Sequence, residues 1–387
     1  MAEDVTGVLE ETYENEPTGV EVERDDDQQP ETAKPWRPED IRVGTKQFSL
    51  RNILDLIDDG DLELAPDFQR NTVWKAKQKS RLIESILLQI PLPAFYFAED
   101  ANGMMRVVDG LQRLSTVRSY VRGEPADFTL SGLEYLTREE RKRFSELAPA
   151  LQRRINNAQI VVHVIDPTTP PGVKYDIFKR INTGGTPLNG QEIRHCMSKD
   201  RSRDFLKRCA HTPEFELATG GSLRDHIRMD DREVVLRYCA FSLMRVEGYI
   251  SRTRGSMDTF LEIATGMLDD PDQVPDADLP ELYDKFCSAM VNCYAVFAEH
   301  AFRKWPYNSD RLSPINRPLF ESWSYVLGQY TETDLARRKE AIVAAARALM
   351  TSSREYNDAI TSSTGGVTKV RLRFDMAEQA ARAMALP

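Results

Sequence analysis

The chain has 387 residues, 41% hydrophobic and 29% charged, which excludes a wholly disordered polypeptide and allows one or two packed domains. The formal charge of −10 is concentrated at one end: residues 1–30 hold eleven acidic residues and one arginine, so residues 31–387 are formally neutral. No stretch approaches the roughly 20 apolar residues that span a bilayer, and the N-terminus lacks the basic-then-apolar layout of a secretory signal, so a cytoplasmic protein with no membrane partner is expected.

Residues 1–44 read as a disordered acidic tail, poor in core-forming side chains and rich in repelling charge. Its role is either solubility or mimicry of nucleic acid against a basic surface. From Phe48 to Ile57, Leu50, Ile53, Leu54 and Ile57 recur at helical spacing and Gly60 ends the helix. Leu62–Trp74 reads as extended chain. Lys75–Ile90 places Leu82, Ile83, Ile86, Leu87 and Ile90 on one helical face, closed by Pro91 and Pro93. Ala94–Phe97 and Met104–Val108 are short apolar runs around Asp100-Ala101-Asn102-Gly103, which predicts a β-hairpin. The second strand runs into Asp109-Gly110, and Leu111–Val121 has helical spacing, giving a strand, tight turn, helix unit. Thr137–Asn156 is a charged helical stretch, Gln159–Ile165 a strand, Tyr175–Ile181 a helix and Asn182–Pro187 a glycine-rich loop. Asn189 with Glu192 forms a capping pattern.

Beyond residue 200 strand signals nearly vanish. Asp231–Val246, Met257–Leu268, Leu279–Phe302 and Thr333–Leu349 are amphipathic helices, and Asp269–Pro280 is a loop within that helical pattern. The fold class is therefore α+β, with an α/β domain over 45–200 and a mainly helical domain over 201–387.

Four segments carry candidate chemistry. In Asp109-Gly110-Leu111-Gln112-Arg113, glycine lets the backbone turn and a ligand approach, and the free N–H groups of a helix's first turn attract anions. Arg113 can fork onto a phosphate, Asp109 can hold Mg²⁺ or orient a water, and Gln112 can bond a phosphoryl oxygen. The plainer reading is that Asp109 caps the helix. The second segment, Pro66 to Arg70 with Trp74, Lys75, Lys77, Lys79 and Arg81, has no acidic residue between Phe68 and Ile83, which suits either a nucleic-acid backbone or a solvated helix face. The third, Phe178 to Pro187, ends in consecutive glycines that can cradle an anion or simply connect two elements. In the fourth, Lys369, Arg371 and Arg373 alternate with Val370, Leu372 and Phe374. On a strand the three cations would share a side, as a nucleic-acid surface or a charge-guarded edge.

Other chemistries are missing. The five cysteines include no Cys-x-x-Cys pair and read as buried thiols. His163, His195, His211, His226 and His300 have no metal-ligand spacing, and no HNH-type or PD-(D/E)xK-type nuclease pattern is present.

In order, Pro66–Arg70 with Trp74, Ser80–Pro93, Asp109–Arg113 and Phe178–Arg194 resemble the N-terminal domain of GmrSD-type restriction endonucleases, related to the ParB and sulfiredoxin superfamily. The similarity is strong over about residues 45–200 and looser through Asp231-Arg232-Glu233 and Met257 to Leu261. Members commonly read Asp-Gly-Gln-Gln-Arg where this chain has Leu111 in the third place. The resemblance implies a ParB/sulfiredoxin-like domain that binds and hydrolyses a nucleotide, with Mg²⁺, in DNA-directed defence. It assigns phosphate chemistry to Asp109, Gln112 and Arg113, and nucleotide contacts to Gly110, Gln69, Arg70, Arg180 and Asn182. It also implies a separate nuclease as partner, because the HNH domain of those enzymes has no counterpart here. The alternative is a non-catalytic nucleic-acid-binding module that uses Lys75, Lys77, Lys79, Lys369 and Arg371 on DNA.

Overall fold

The computed structural model describes residues 8–13, 15–23, 37–64, 74–124, 128–181, 188–253 and 255–383. The chain divides into two compact units, one of Pro35–Met197 and one that joins Met1–Lys34 to Ser198–Pro387. An α+β unit and a mainly helical one are thus both present, as the sequence predicts.

The chain opens on a hairpin, β1 (Glu10–Tyr13) and β2 (Glu16–Glu21). The α/β unit then runs β3 (Val43–Ser49), α1 (Leu50–Asp59), β4 (Leu62–Glu63), α2 (Ala76–Leu87), β5 (Phe95–Glu99), β6 (Met105–Asp109) and α3 (Leu111–Arg122). It continues with α4 (Pro149–Asn157), β7 (Gln159–Ile165), α5 (Pro171–Ile181) and α6 (Gly190–Met197). The five strands form a mixed sheet in the order β3-β7-β5-β6-β4. β3 is antiparallel to β7 and β5 to β6, while β5 runs parallel to β7 and β4 to β6. Local signals fix the ends: the Ser49 side chain accepts from the Asn52 N–H to start α1, and Gly60 ends it in the left-handed conformation. In the β5–β6 turn the Asp100 carboxylate accepts from the N–H groups of Asn102 and Met104.

Period-two alternation gives the sheet one buried face. Phe95, Phe97, Met105, Val107, Ile160, Val162 and Val164 pack there against Leu50, Ile53 and Leu54 of α1, Leu82, Ile83, Ile86 and Leu87 of α2, and Leu114 and Val117 of α3. α5 packs on α6, and α6 contacts β6. The predicted helix over Thr137–Asn156 is not continuous. Single 3-10 turns at Thr137–Glu139 and Phe144–Glu146 precede α4, which starts on Pro149. The stretch is drawn into loop pairing instead: Leu130 exchanges backbone bonds with Arg141 and Lys142, and the Glu140 carboxylate accepts from the N–H groups of Gly132 and Leu133. Glu84, buried on α2, similarly accepts from the backbone N–H groups of Glu134, Tyr135 and Leu136. Burial works to raise its pKa, but those three donors outweigh it and leave the carboxyl below its ordinary value.

The helical unit contains α7 (Asp200–Ala210), α8 (Pro213–Thr219), α9 (Asp230–Thr253), α10 (Met257–Leu268), α11 (Leu279–Phe297), α12 (Arg317–Leu327), α13 (Glu332–Ser352), α14 (Arg354–Ala359) and α15 (Val367–Ala381). α9 kinks at Arg245, where φ is 58° and ψ 179°. α11 stops short of the expected Phe302, turning at Ala298 with φ 51°. Among the described residues no helix is long and apolar enough to cross a membrane.

Two sequence expectations fail in this unit. Residues 8–23 are not a disordered tail, apart from the undescribed Glu14: Val20 is fully buried in the helical core, and β2 exchanges backbone bonds with Ile315. The acidic side chains enter a buried network of cations. Glu11 accepts from both terminal nitrogens of Arg317 at 2.9 and 3.2 Å, and Glu23 from those of Arg237 at 3.1 and 2.9 Å, while Glu21 pairs with Lys304. Arg237 also meets Glu233 and Glu321, Arg317 meets Asp230, and Arg373 meets Glu321. The charge that marked the segment as disordered is what anchors it. The second failure is the supposed strand at Lys369–Phe374, which is part of α15. Residues two apart lie on nearly opposite sides of a helix, so Arg371 falls opposite Lys369 and Arg373: Lys369 pairs with Asp358, Arg371 is exposed, and Arg373 is buried on Glu321.

Candidate functional site

β6 hands the chain to α3 across a single residue, Gly110, whose φ of 99° lies in the left-handed region. A Cβ there would sit 2.2 Å from Cδ1 of the fully buried Phe95 ring. Both the backbone angle and the close approach therefore require glycine. The N-cap position of α3, Gly110, has no side chain with which to cap it, and the first turn points its backbone N–H groups out at the positive end of a twelve-residue helix.

Asp109 ends β6, half-buried, and Arg113 returns to it one helical turn later, with Nη2 donating to Oδ2 at 2.7 Å. The same guanidinium donates to the carbonyls of Pro93 and Ala94 and lies over the Phe95 ring, 4.1 Å from its centroid. Burial lowers the Arg113 pKa from its ordinary value, and the neighbouring Asp109 works against that shift. Arg113 thus clamps the Asp109 carboxylate and the chain entering β5. Gln112 lies half-buried in the first turn of α3.

The other expected residues fall into three groups. Gln69, Arg70 and Asn182 lie outside the described residues. Arg180 is exposed at the end of α5. On α2, Lys75 and Lys77 are exposed, while Lys79 is half-buried with its ammonium 5.9 Å from the Phe128 ring centroid. For Mg²⁺, no group of three His, Cys, Asp or Glu side chains among the described residues can hold an ion. Asp109, the carboxylate that ends β6, is bound to an arginine, so the described residues do not fit a cation held by the protein alone.

Sheet pairing adds three residues that the sequence did not mark as part of a site. Asp109 is the register partner of Tyr96 on β5, which partners His163 on β7, which partners Thr45 on β3. The four sit in one row across four strands, on the face opposite the core. Their side chains touch in part: Thr45 Oγ1 is 3.0 Å from His163 Nδ1, and the Tyr96 and His163 ring centroids are 4.9 Å apart. The slip in register between Tyr96 and Phe97 sets Val108 as the extra residue and turns Asp109 into this row.

Residues 50–198 match the family model of the GmrSD restriction endonuclease, N-terminal domain. The match spans the elbow, the sheet from β4 to β7 and the helices α1 to α6. No curated protein matches the chain. Residues 50–198 are thus similar to the N-terminal domain of the GmrSD restriction endonuclease.

Proposed function

We propose, with residues 50–198 taken as a GmrSD N-terminal domain, that this unit binds a nucleoside triphosphate at the β6–α3 elbow and hydrolyses it in DNA-directed defence, working with a separate nuclease. The observation that carries the reading is Gly110. Its left-handed backbone, wedged against Phe95, delivers a helix N-terminus whose cap residue has no side chain, next to a carboxyl paired with Arg113; backbone N–H groups at such a terminus hold phosphate.

In this reading the N–H groups of the first turn of α3 take the phosphate. Asp109, held in place by Arg113, orients the attacking water, and Gln112 bonds a phosphoryl oxygen. Arg113 acts as a positioning residue for Asp109, and Mg²⁺ would arrive with the nucleotide. Gln69, Arg70, Arg180 and Asn182 are further proposed nucleotide contacts.

The test is phosphate release from a panel of nucleoside triphosphates with Mg²⁺, with and without DNA, for wild type, Asp109→Ala and Arg113→Ala. Turnover abolished in Asp109→Ala and reduced at least tenfold in Arg113→Ala supports the reading, and stimulation by DNA ties it to defence. No turnover by wild type in any condition overturns hydrolysis. It would favour a nucleic-acid-binding module that uses exposed Lys75 and Lys77 at the start of α2, recognised by DNA affinity that falls steeply with salt.

A further inference from the structure

We infer that Tyr96 and His163, set by Thr45, form the subsite for the aromatic base of the nucleotide. This rests on the proposal that the elbow binds phosphate, and it adds a ligand-recognising surface that no motif in the sequence marks.

The argument begins with the row. Adjacent strands lie about 4.8 Å apart, so the backbone of His163, two strands from Asp109, is roughly 10 Å away. That is the scale separating the terminal phosphate of an extended nucleotide from its base. Between them lies Tyr96. Neighbouring residues on the same strands, Phe95, Phe97, Val162 and Val164, are buried in the core, whereas Tyr96 and His163 are half-buried and Thr45 is exposed. Two planar π-systems thus meet at 4.9 Å on the accessible face.

Their chemistry suits a heterocycle better than a phosphate. Apart from the imidazole the row offers an anion no cationic side chain: Asp109 is a carboxyl already paired with Arg113, and Thr45 and Tyr96 carry hydroxyls. Every base has a π-face, and stacking on an aromatic side chain is worth roughly tenfold in affinity per base. The Thr45 hydroxyl engages Nδ1 of His163 and so fixes the ring plane. The orientation leaves Nε2 as the polar atom that meets a base edge, donor or acceptor according to the tautomer. A base read this way gives modest preference among nucleotides, because stacking tolerates any base and one ring nitrogen discriminates.

Titration calorimetry on the full chain tests this with two probes in Mg²⁺ buffer, adenosine triphosphate and inorganic tripolyphosphate. Tyr96→Leu and His163→Leu should each weaken the nucleotide about tenfold and leave tripolyphosphate within twofold of wild type. Thr45→Val, on an exposed side chain, should weaken the nucleotide by a smaller factor without disturbing the fold, which guards against misfolding of the other two. Equal affinity of wild type for both probes overturns the inference. So does an equal loss of both in the variants, or no loss in any of the three. Failure of wild type to bind tripolyphosphate while it still binds the nucleoside alone, with that binding lost in Tyr96→Leu, would overturn the elbow reading and support the base subsite. No binding of either probe or of the nucleoside overturns both.

Discussion

Replacing Gly110 with alanine tests the elbow directly. The new Cβ would sit 2.2 Å from Cδ1 and 2.8 Å from Cε1 of Phe95, against an ordinary carbon–carbon separation of about 3.5–4.0 Å. Something must therefore move by more than about 1 Å. Phe95 has no room to yield, being buried on a central strand, and its ring also carries the Arg113 guanidinium. A left-handed backbone costs a residue with a Cβ about 1–2 kcal/mol, and overpacking a core adds about 1–3 kcal/mol, so Gly110→Ala should destabilise the α/β unit by about 2–5 kcal/mol. Gly103→Ala separates the two effects, because Gly103 has φ +83° with nothing within 4 Å of its would-be Cβ and should lose only about 1–2 kcal/mol. Urea unfolding of the full chain gives the two values, and hydrogen exchange in peptides covering β5 and β6 assigns the loss to this unit. If the variants agree to within about 0.5 kcal/mol, below the overpacking range, the steric argument is wrong.

Three further outcomes follow from buried charge. Arg317→Ala leaves Asp230 and Glu11 without their guanidinium and should cost the helical unit about 3–5 kcal/mol, read as a lower urea midpoint; a shift under about 1 kcal/mol would refute the network's role. Burial favours a raised pKa for Glu23, but Arg237 and Arg317 pull it down from 4.5 to about 2. Its contribution is complete above the unfolded value and is lost as pH falls through that window, about 3 kcal/mol at most. Glu23→Gln should flatten the stability profile between pH 4.5 and 2, and an unchanged slope counts against the pairing. Burial raises the pKa of Glu11 and Glu21 despite Arg317 and Lys304. These two work in the opposite sense, stabilising the fold when protonated and losing that as pH rises past the unfolded value. Finally, Glu84→Gln should lower stability by about 1.5–3 kcal/mol and speed amide exchange at Glu134, Tyr135 and Leu136; unaltered exchange there would show that another contact holds the loop.

What the sequence disclosed was local. The β6–Gly110–α3 elbow lies within a few residues, and Asp109 with Arg113 is an i,i+4 pair, so strand alternation, glycine and helical spacing were sufficient to find it. Tyr96 and His163 were hidden because their meeting depends on β7 pairing with both β3 and β5, which periodicity does not encode. The same reason explains the acidic terminus. Repelling charge reads as disorder until the cations that neutralise it are known, and Arg237 lies 214 residues from Glu23. Lys369, Arg371 and Arg373 failed in the other direction: a six-residue alternation was compatible with a strand, but its surroundings were helical, and period 3.6 places Arg373 inside and Arg371 outside.

The docked hairpin also has a bearing on synthesis. Glu11 and Arg317 are 306 positions apart, so at about 5–20 residues per second the hairpin spends on the order of tens of seconds without its partner. Its strands are short and carboxylate-rich, poor templates for edge pairing during that interval. The acidity that anchors the finished unit therefore also guards the nascent segment against edge pairing until Ile315 and the Arg317 end of α12 exist to receive it.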